Sequence, residues 1–227
     1  ISACLVGSEM CIRDRAESAQ EAPADREEIY DQIKGITLEG VCYQHPGQEK
    51  RIGFTLGPVD YQFDAGKVYF IRGNNGSGKT TLMRILIGLY QPSAGRILVN
   101  GLPISEPTTG AYRDMFSVVF SDFHLFKTLY GLPADDVRRM EDLLKVFQME
   151  GKVSIQNGQF SSLQFSTGQR KRLALIVALL EDRPFVILDE WAADQDPEFR
   201  QEFYENIIPK LRAMGKTVIA ITHDDHY

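Results

Sequence analysis

The sequence predicts an α/β fold, and three stretches carry that prediction. Lys67-Val68-Tyr69-Phe70-Ile71 reads as a short buried strand; it runs into a glycine-rich stretch, and Leu82, Ile85, Leu86 and Leu89 then follow at helical spacing. Pro184-Phe185-Val186-Ile187-Leu188-Asp189-Glu190 is an apolar strand that delivers two carboxylates at its C-terminal end, where open α/β sheets bind ligands. Thr217 to Thr222 is a last apolar strand, ending at His223.

The glycine-rich stretch is Gly73-Asn74-Asn75-Gly76-Ser77-Gly78-Lys79-Thr80, which fits G-x-x-x-x-G-K-[ST], the P-loop pattern. Glycines let the backbone turn tightly and bring its N–H groups against phosphate oxygens. The helix that follows favours an anion at its N-terminus. Lys79 then reaches the β- and γ-phosphates, and the Thr80 hydroxyl holds Mg²⁺.

Bulk properties bound the rest. The chain has 227 residues, enough for one domain with a small inserted lobe, and its hydrophobic and charged fractions of 43% and 25% are those of a soluble globular protein. A formal net charge of −6 argues against a nucleic-acid partner. The longest apolar run, Leu173 to Leu180, is too short to cross a bilayer. Cys4, Cys11 and Cys42 have neither paired nor metal-ligand spacing and read as reduced thiols.

Taken in order, the chain opens on Ile1, and residues 1–15 resemble translated sequencing-adapter sequence, a segment to be set aside from the fold. Residues 16–35 begin with an Ala-, Glu- and Pro-rich stretch and read as a linker from a domain on its far side. Ile36 to Tyr43 alternates as a strand, and Arg51 to Phe63 reads as more strand, broken near Gly57-Pro58. After the P-loop helix, Gln91 to Gly95 is a turn, Arg96 to Val99 a strand and Asn100-Gly101 a hairpin turn. Phe116 to Phe120 is an apolar strand. Val137, Met140, Leu144 and Phe147 are helically spaced within a small, mostly helical lobe, about 121–181, in which Lys152 to Gln164 reads as irregular.

Phe165-Ser166-Thr167-Gly168-Gln169-Arg170-Lys171-Arg172 leads into the apolar run Leu173 to Leu180, a helix that must be buried. Its basic start opposes the helix dipole. Two readings stand equal here: an anion sits at this helix start, or the basic turn is incidental. Asp196-Pro197 starts another helix, whose Phe199, Phe203, Ile207 and Leu211 face the core and which Pro209 kinks or ends. The final strand has nothing after it to cover it, so both ends of the chain read as truncated.

The P-loop, the Phe165–Gln169 stretch and the strand ending Asp189-Glu190, in this order, resemble the ATP-binding domain of ABC transporters. The resemblance runs from about Ile36 to the end, and the middle stretch is a variant of the Leu-Ser-Gly-Gly-Gln signature. It implies a P-loop NTPase fold of the ABC type, with an antiparallel β subdomain and a small helical signature subdomain, over residues 36–227. Val119 to Phe126 and Asp189 to Pro197 more narrowly resemble the exporters of cyclic peptides and siderophore precursors, of the pyoverdine, syringomycin and lasso-microcin type.

The resemblance implies roles residue by residue. Gly73, Asn74, Asn75, Gly76, Ser77, Gly78, Lys79, Thr80 and Thr81 bind the phosphates of ATP, and Tyr43 stacks on the adenine. Thr80 and Asp189 hold Mg²⁺, Glu190 polarises the attacking water as general base, and His223 contacts the γ-phosphate. Ser166, Gly168 and Gln169 close over ATP held by an opposing domain in a head-to-tail homodimer. Asp196 stands at the place of the D-loop aspartate. Three departures stand out: Ser121 replaces the Q-loop glutamine, Thr167 a glycine, and Trp191 a proline. Ser121 is either a ligand or a plain strand-end serine. Phe123 and Phe126 belong either to the surface that meets the membrane helices or to the core.

The implied function is to power a membrane exporter, with the transmembrane domain in the same full-length chain and the ATPase at the cytoplasmic face of the bacterial inner membrane. Two rivals fit less well. A soluble ABC protein acting on ribosomes or DNA usually carries a second cassette or long inserted arms. A binding module with dead catalysis would not be expected to keep Lys79, Glu190 and His223.

Overall fold

The computed structural model describes residues 33–44, 54–105, 108–130 and 137–222. The adapter-like segment, nearly all of the proposed linker and His223 lie outside the described residues. Two sheets organise the rest. The first is antiparallel, in the order β2-β1-β4-β5, from β1 (Gly35–Gln44), β2 (Thr55–Asp64), β4 (Ala94–Val99) and β5 (Leu102–Pro103). The break expected near Gly57-Pro58 is an irregularity within a continuous strand: β2 runs through, but the pairing shifts register there, with an extra residue on β2 between Val59 and Leu56, and it shifts on β1 between Leu38 and Val41. Glycine is required at 57, where any Cβ would lie 2.2 Å from the Val41 carbonyl oxygen.

The second sheet is parallel, in the order β3-β10-β9-β6, from β3 (Val68–Ile71), β6 (Phe116–Val119), β9 (Phe185–Asp189) and β10 (Thr217–Ile221). β9 and β10 are buried at every residue, as continuous apolar runs in a parallel sheet require. Register sets the functional edge. Ile221 pairs with both Ile71 and Asp189, and Val119 pairs with Leu188. The segments that follow β3, β9 and β6 therefore leave the sheet side by side.

The helices pack around this sheet. α1 (Lys79–Leu86) follows the P-loop and ends three residues before Leu89, which is exposed rather than on the helix's buried face. α2 (Thr109–Arg113) is too short to show a period in the sequence. α3 (Val137–Val146) and α4 (Thr167–Leu180) form the expected helical lobe. The stretch expected to be irregular contains a hairpin, β7 (Ile155–Gln156) and β8 (Gln159–Phe160). Its turn is Asn157-Gly158 with φ of 52° and 69°, an Asn-Gly signal that was present in the sequence.

α5 (Pro197–Glu202) continues through a π-helical segment, Phe203–Ile207, into α6 (Ile208–Ala213). Pro209 does not end the helix, which runs on to Ala213. A proline ring clashes with the carbonyl four residues back, here Glu205, and the wider π turn spanning that residue makes the room.

Candidate active site

A cavity of about 400 Å³ opens at the edge where β3 and β9 end; Asn75, Gly76, Gly78, Lys79, Thr80 and Thr81 line one side, with Glu190 and Phe54 also on its wall. Gly78 caps α1 in the left-handed conformation, φ 93°, and a Cβ there would lie 2.6 Å from the Phe54 ring. Only glycine meets both conditions. Lys79 folds back over the loop, its Nζ donating to the carbonyls of Gly73 at 2.7 Å and Asn74 at 3.0 Å. The Ser77 N–H donates to the Asn74 carbonyl at 3.1 Å, closing the loop on itself.

Asp189 and Glu190 are treated differently by the fold. Asp189 is 1% exposed. Its Oδ2 accepts a hydrogen bond from the Ser121 hydroxyl at 3.1 Å, while its Oδ1 has no partner among the described residues. Burial pushes its carboxyl above the ordinary range, against the Ser121 hydrogen bonds. Ser121 is therefore a hydrogen-bond partner of the Asp189 carboxylate. Glu190 is half-buried, faces the cavity, and has a left-handed backbone, φ 49°. Its N–H donates to the Ile221 carbonyl at 3.0 Å and its carbonyl accepts from Lys171 Nζ at 2.9 Å.

No cluster of three or more His, Cys, Asp or Glu side chains is placed to hold a metal among the described residues. A Mg²⁺ bound with a nucleotide needs only one or two carboxylates, because phosphates and water complete its shell. The orphaned Asp189 oxygen and the Thr80 hydroxyl are hard oxygen donors of that kind, so the residues present fit the ion.

The signature residues sit apart from this cavity, at the start of α4. Ser166 caps the helix, accepting from the Gln169 N–H at 3.3 Å while its own N–H donates to Gln169 Oε1 at 3.2 Å. Gly168 is buried against the turn that follows β9; a Cβ would lie 2.5 Å from the Asp194 carbonyl oxygen. Two of the three basic residues at this helix start have partners in the chain itself. Lys171 pairs with Asp194 at 2.6 Å, and Arg172 with Asp196 at 2.6 Å and with Gln195 Oε1 at 2.9 Å. Arg170 points to solvent.

Tyr43 is not among the residues that line the cavity. It stacks on Tyr90 with ring centroids 5.1 Å apart and planes within 11°, and the Tyr90 hydroxyl accepts from Arg84 at 2.9 Å. Thr222, just before His223, is bonded to the Tyr204 hydroxyl at 2.9 Å. Of the two aromatics with two possible places, Phe123 packs against the core and Phe126 is exposed beside exposed Tyr130. Phe54, Lys171 and Gln195 were not foreseen as parts of the site. A lysine opening an otherwise apolar buried helix was the one signal available for them.

Comparison with known proteins decides the family. The ABC transporter family model matches residues 56–193. The chain belongs to the ABC transporter family. It is 44% identical over 198 residues to the ATP-binding protein SyrD of Pseudomonas syringae pv. syringae, covering 85% of this chain and 35% of SyrD. It thus spans about a third of the length of that relative. A bacterial Atm1-family ABC exporter with ATP bound has the same fold, with a TM-score of 0.69 at 23% identity over 85% of this chain and 35% of the exporter. So does a dimeric post-hydrolysis state of an ATP-binding cassette bound to ADP and Pi, with a TM-score of 0.68 at 22% identity over 83% and 88% of the two chains. ABC transporter ATP-binding domains bind and hydrolyse ATP, and this chain is an ATP hydrolase of that kind.

Proposed function

We propose that this ABC cassette powers a membrane exporter of a cyclic peptide or siderophore-like compound, with Glu190 as the general base. The observation that carries the catalytic part is the shared cavity: the P-loop with Lys79 forms one wall and Glu190 stands on another. The P-loop amides and Lys79 hold the β- and γ-phosphates, with Lys79 folded over the loop by its bonds to the Gly73 and Asn74 carbonyls. Thr80 and Asp189 would hold Mg²⁺, which would supply positive charge against the phosphates. Glu190, fixed at a strand end, accepts a proton from the attacking water. Thr81 adds a hydroxyl to the phosphate wall, and His223 reads the presence of the γ-phosphate. Tyr43 stacks on adenine in this reading, with its Tyr90 contact as the support behind the ring.

Ser166, Gly168 and Gln169 act on ATP held by a second copy of the domain in a head-to-tail homodimer. Their place at the start of α4, away from the chain's own cavity, supports this. ATP between two domains favours the closed pair, and loss of the γ-phosphate releases it. The exporter reading draws on the likeness to SyrD and on the residues around Ser121 and Trp191. It puts a transmembrane domain in the same full-length chain, ahead of residues 16–35, and the ATPase at the cytoplasmic face of the bacterial inner membrane. No described helix is long and apolar enough to cross a membrane.

Glu190→Gln tests the catalytic assignment. In the full-length protein it should bind ATP normally and lose turnover by roughly 10²-fold or more, the contribution of a positioned base. Near-normal hydrolysis by this variant would remove Glu190 from the role.

A further inference from the structure

The residue that aims Glu190 is itself held from behind, by two side chains whose roles the reading above leaves unassigned. Glu190 adopts φ 49° and ψ 35°, a left-handed backbone that a residue with a side chain seldom takes. Its N–H is tied to β10 through Ile221, at 3.0 Å. Its carbonyl is tied to α4 through Lys171 Nζ, at 2.9 Å. Lys171 is 2% exposed, and its charge is balanced by Asp194 at 2.6 Å. The next residue, Trp191, closes the circuit: its Nε1–H donates to the Lys171 carbonyl at 2.9 Å. The indole is buried against Phe203, with ring centroids 4.3 Å apart.

We propose that Lys171 and Trp191 form a reciprocal clamp that positions Glu190. The side chain of Lys171 holds the Glu190 carbonyl, the side chain of Trp191 holds the Lys171 carbonyl, and the Glu190–Trp191 peptide joins the two. With both of its backbone groups bonded, the left-handed turn is held and the Cα–Cβ bond of Glu190 has a fixed origin at the cavity wall. A buried ammonium is a costly way merely to fill space, and a tryptophan N–H inside a protein needs an acceptor. Each supplies what the other requires. Neither group touches substrate, so both act through Glu190, and the clamp rests on the reading of Glu190 as the general base.

The test is steady-state ATP hydrolysis by the full-length protein, with nucleotide affinity measured separately using a fluorescent ATP analogue. Lys171→Gln should lower kcat about tenfold, part of what a positioned base contributes, and leave affinity within about twofold. Trp191→Phe keeps an aromatic ring at the site and removes the donor, at some cost in packing that falls on stability; it should lower kcat about threefold, the worth of one hydrogen bond, again without weakening binding. Lys171→Arg should recover part of the loss.

Unchanged kcat in both Lys171→Gln and Trp191→Phe overturns the clamp, as does a loss that falls equally on nucleotide affinity. If Lys171→Gln does not fold, Trp191→Phe decides alone. Glu190→Gln in the same assay separates the two ideas. If it retains turnover, the general-base reading has failed; if it is inactive while the clamp variants are normal, only the clamp has failed.

Discussion

Asp189 is almost wholly buried, with one oxygen bonded to Ser121 and the other without a partner among the described residues. Desolvation raises its pKa above that of an exposed aspartate. The sign follows from linkage. A carboxyl whose folded pKa is raised binds its proton more tightly folded than unfolded, so its contribution to stability falls as pH rises from the ordinary value through the folded one. Asp189→Asn should therefore stabilise the nucleotide-free protein at pH 7 by about 1–2 kcal/mol, the scale of a poorly satisfied buried group. Its advantage should shrink as pH is lowered through the raised folded pKa, where the wild-type carboxyl also becomes neutral. Thermal melts at pH 7 and at acid pH measure this, and an asparagine variant less stable than wild type at pH 7 would refute it. Such a site trades stability for function.

At the scale of elements, the turn between β9 and α5 joins the site to the helical lobe. Asp196 caps α5 by accepting from the Phe199 N–H at 2.9 Å, and it also pairs with Arg172, whose guanidinium lies 3.4 Å from the centroid of the Phe199 ring. The Phe199 N–H, first, and then the Arg172 charge hold the Asp196 carboxyl below its ordinary value. A lowered carboxyl stabilises the fold above its unfolded pKa, and this contribution disappears as pH falls through the folded value. Asp196→Ala should cost about 1 kcal/mol in urea unfolding at pH 7, the usual worth of an N-cap. Asp196→Asn keeps a capping oxygen and should cost less, while removing this residue's share of the acid dependence. Equal losses in the two variants would mean that the charge pair, and not the cap, is what matters. The same turn carries Gln195, whose amide donates to the Gly168 carbonyl at 3.1 Å, so the start of the signature helix and the end of β9 share one hydrogen-bonded frame.

At the scale of the molecule, the parallel sheet brings three chain segments to one edge, and the antiparallel sheet flanks the P-loop through Phe54 and Leu56. Phe126 and Tyr130 are exposed and pack edge to face on one another at the surface. The proposed transmembrane domain is tested most directly in the source DNA. Upstream of Ala16, the gene should encode six hydrophobic spans joined to this linker. A start codon with no spans would withdraw the single-chain exporter and leave a separate ATPase subunit or a soluble ABC protein.

Local chemistry was readable from the chain alone. The P-loop spacing, the strand ending in Asp189-Glu190, the buried apolar helix and most strands follow from backbone rules and hydrophobic period, which act over a few residues. The structure decided whatever depends on residues far apart in the chain. The order β3-β10-β9-β6 puts Lys79 and Glu190 on one cavity, about 110 positions apart in sequence. The carboxylates that pair with the basic start of α4, Asp194 and Asp196, lie more than twenty residues away in the chain and are identified only once it is folded. That Ser121 meets Asp189 follows only from the register of β6 on β9, which brings its hydroxyl against that carboxylate. A buried charge reveals its partner only after folding, because burial and pairing are properties of the packed chain and carry no local sequence pattern.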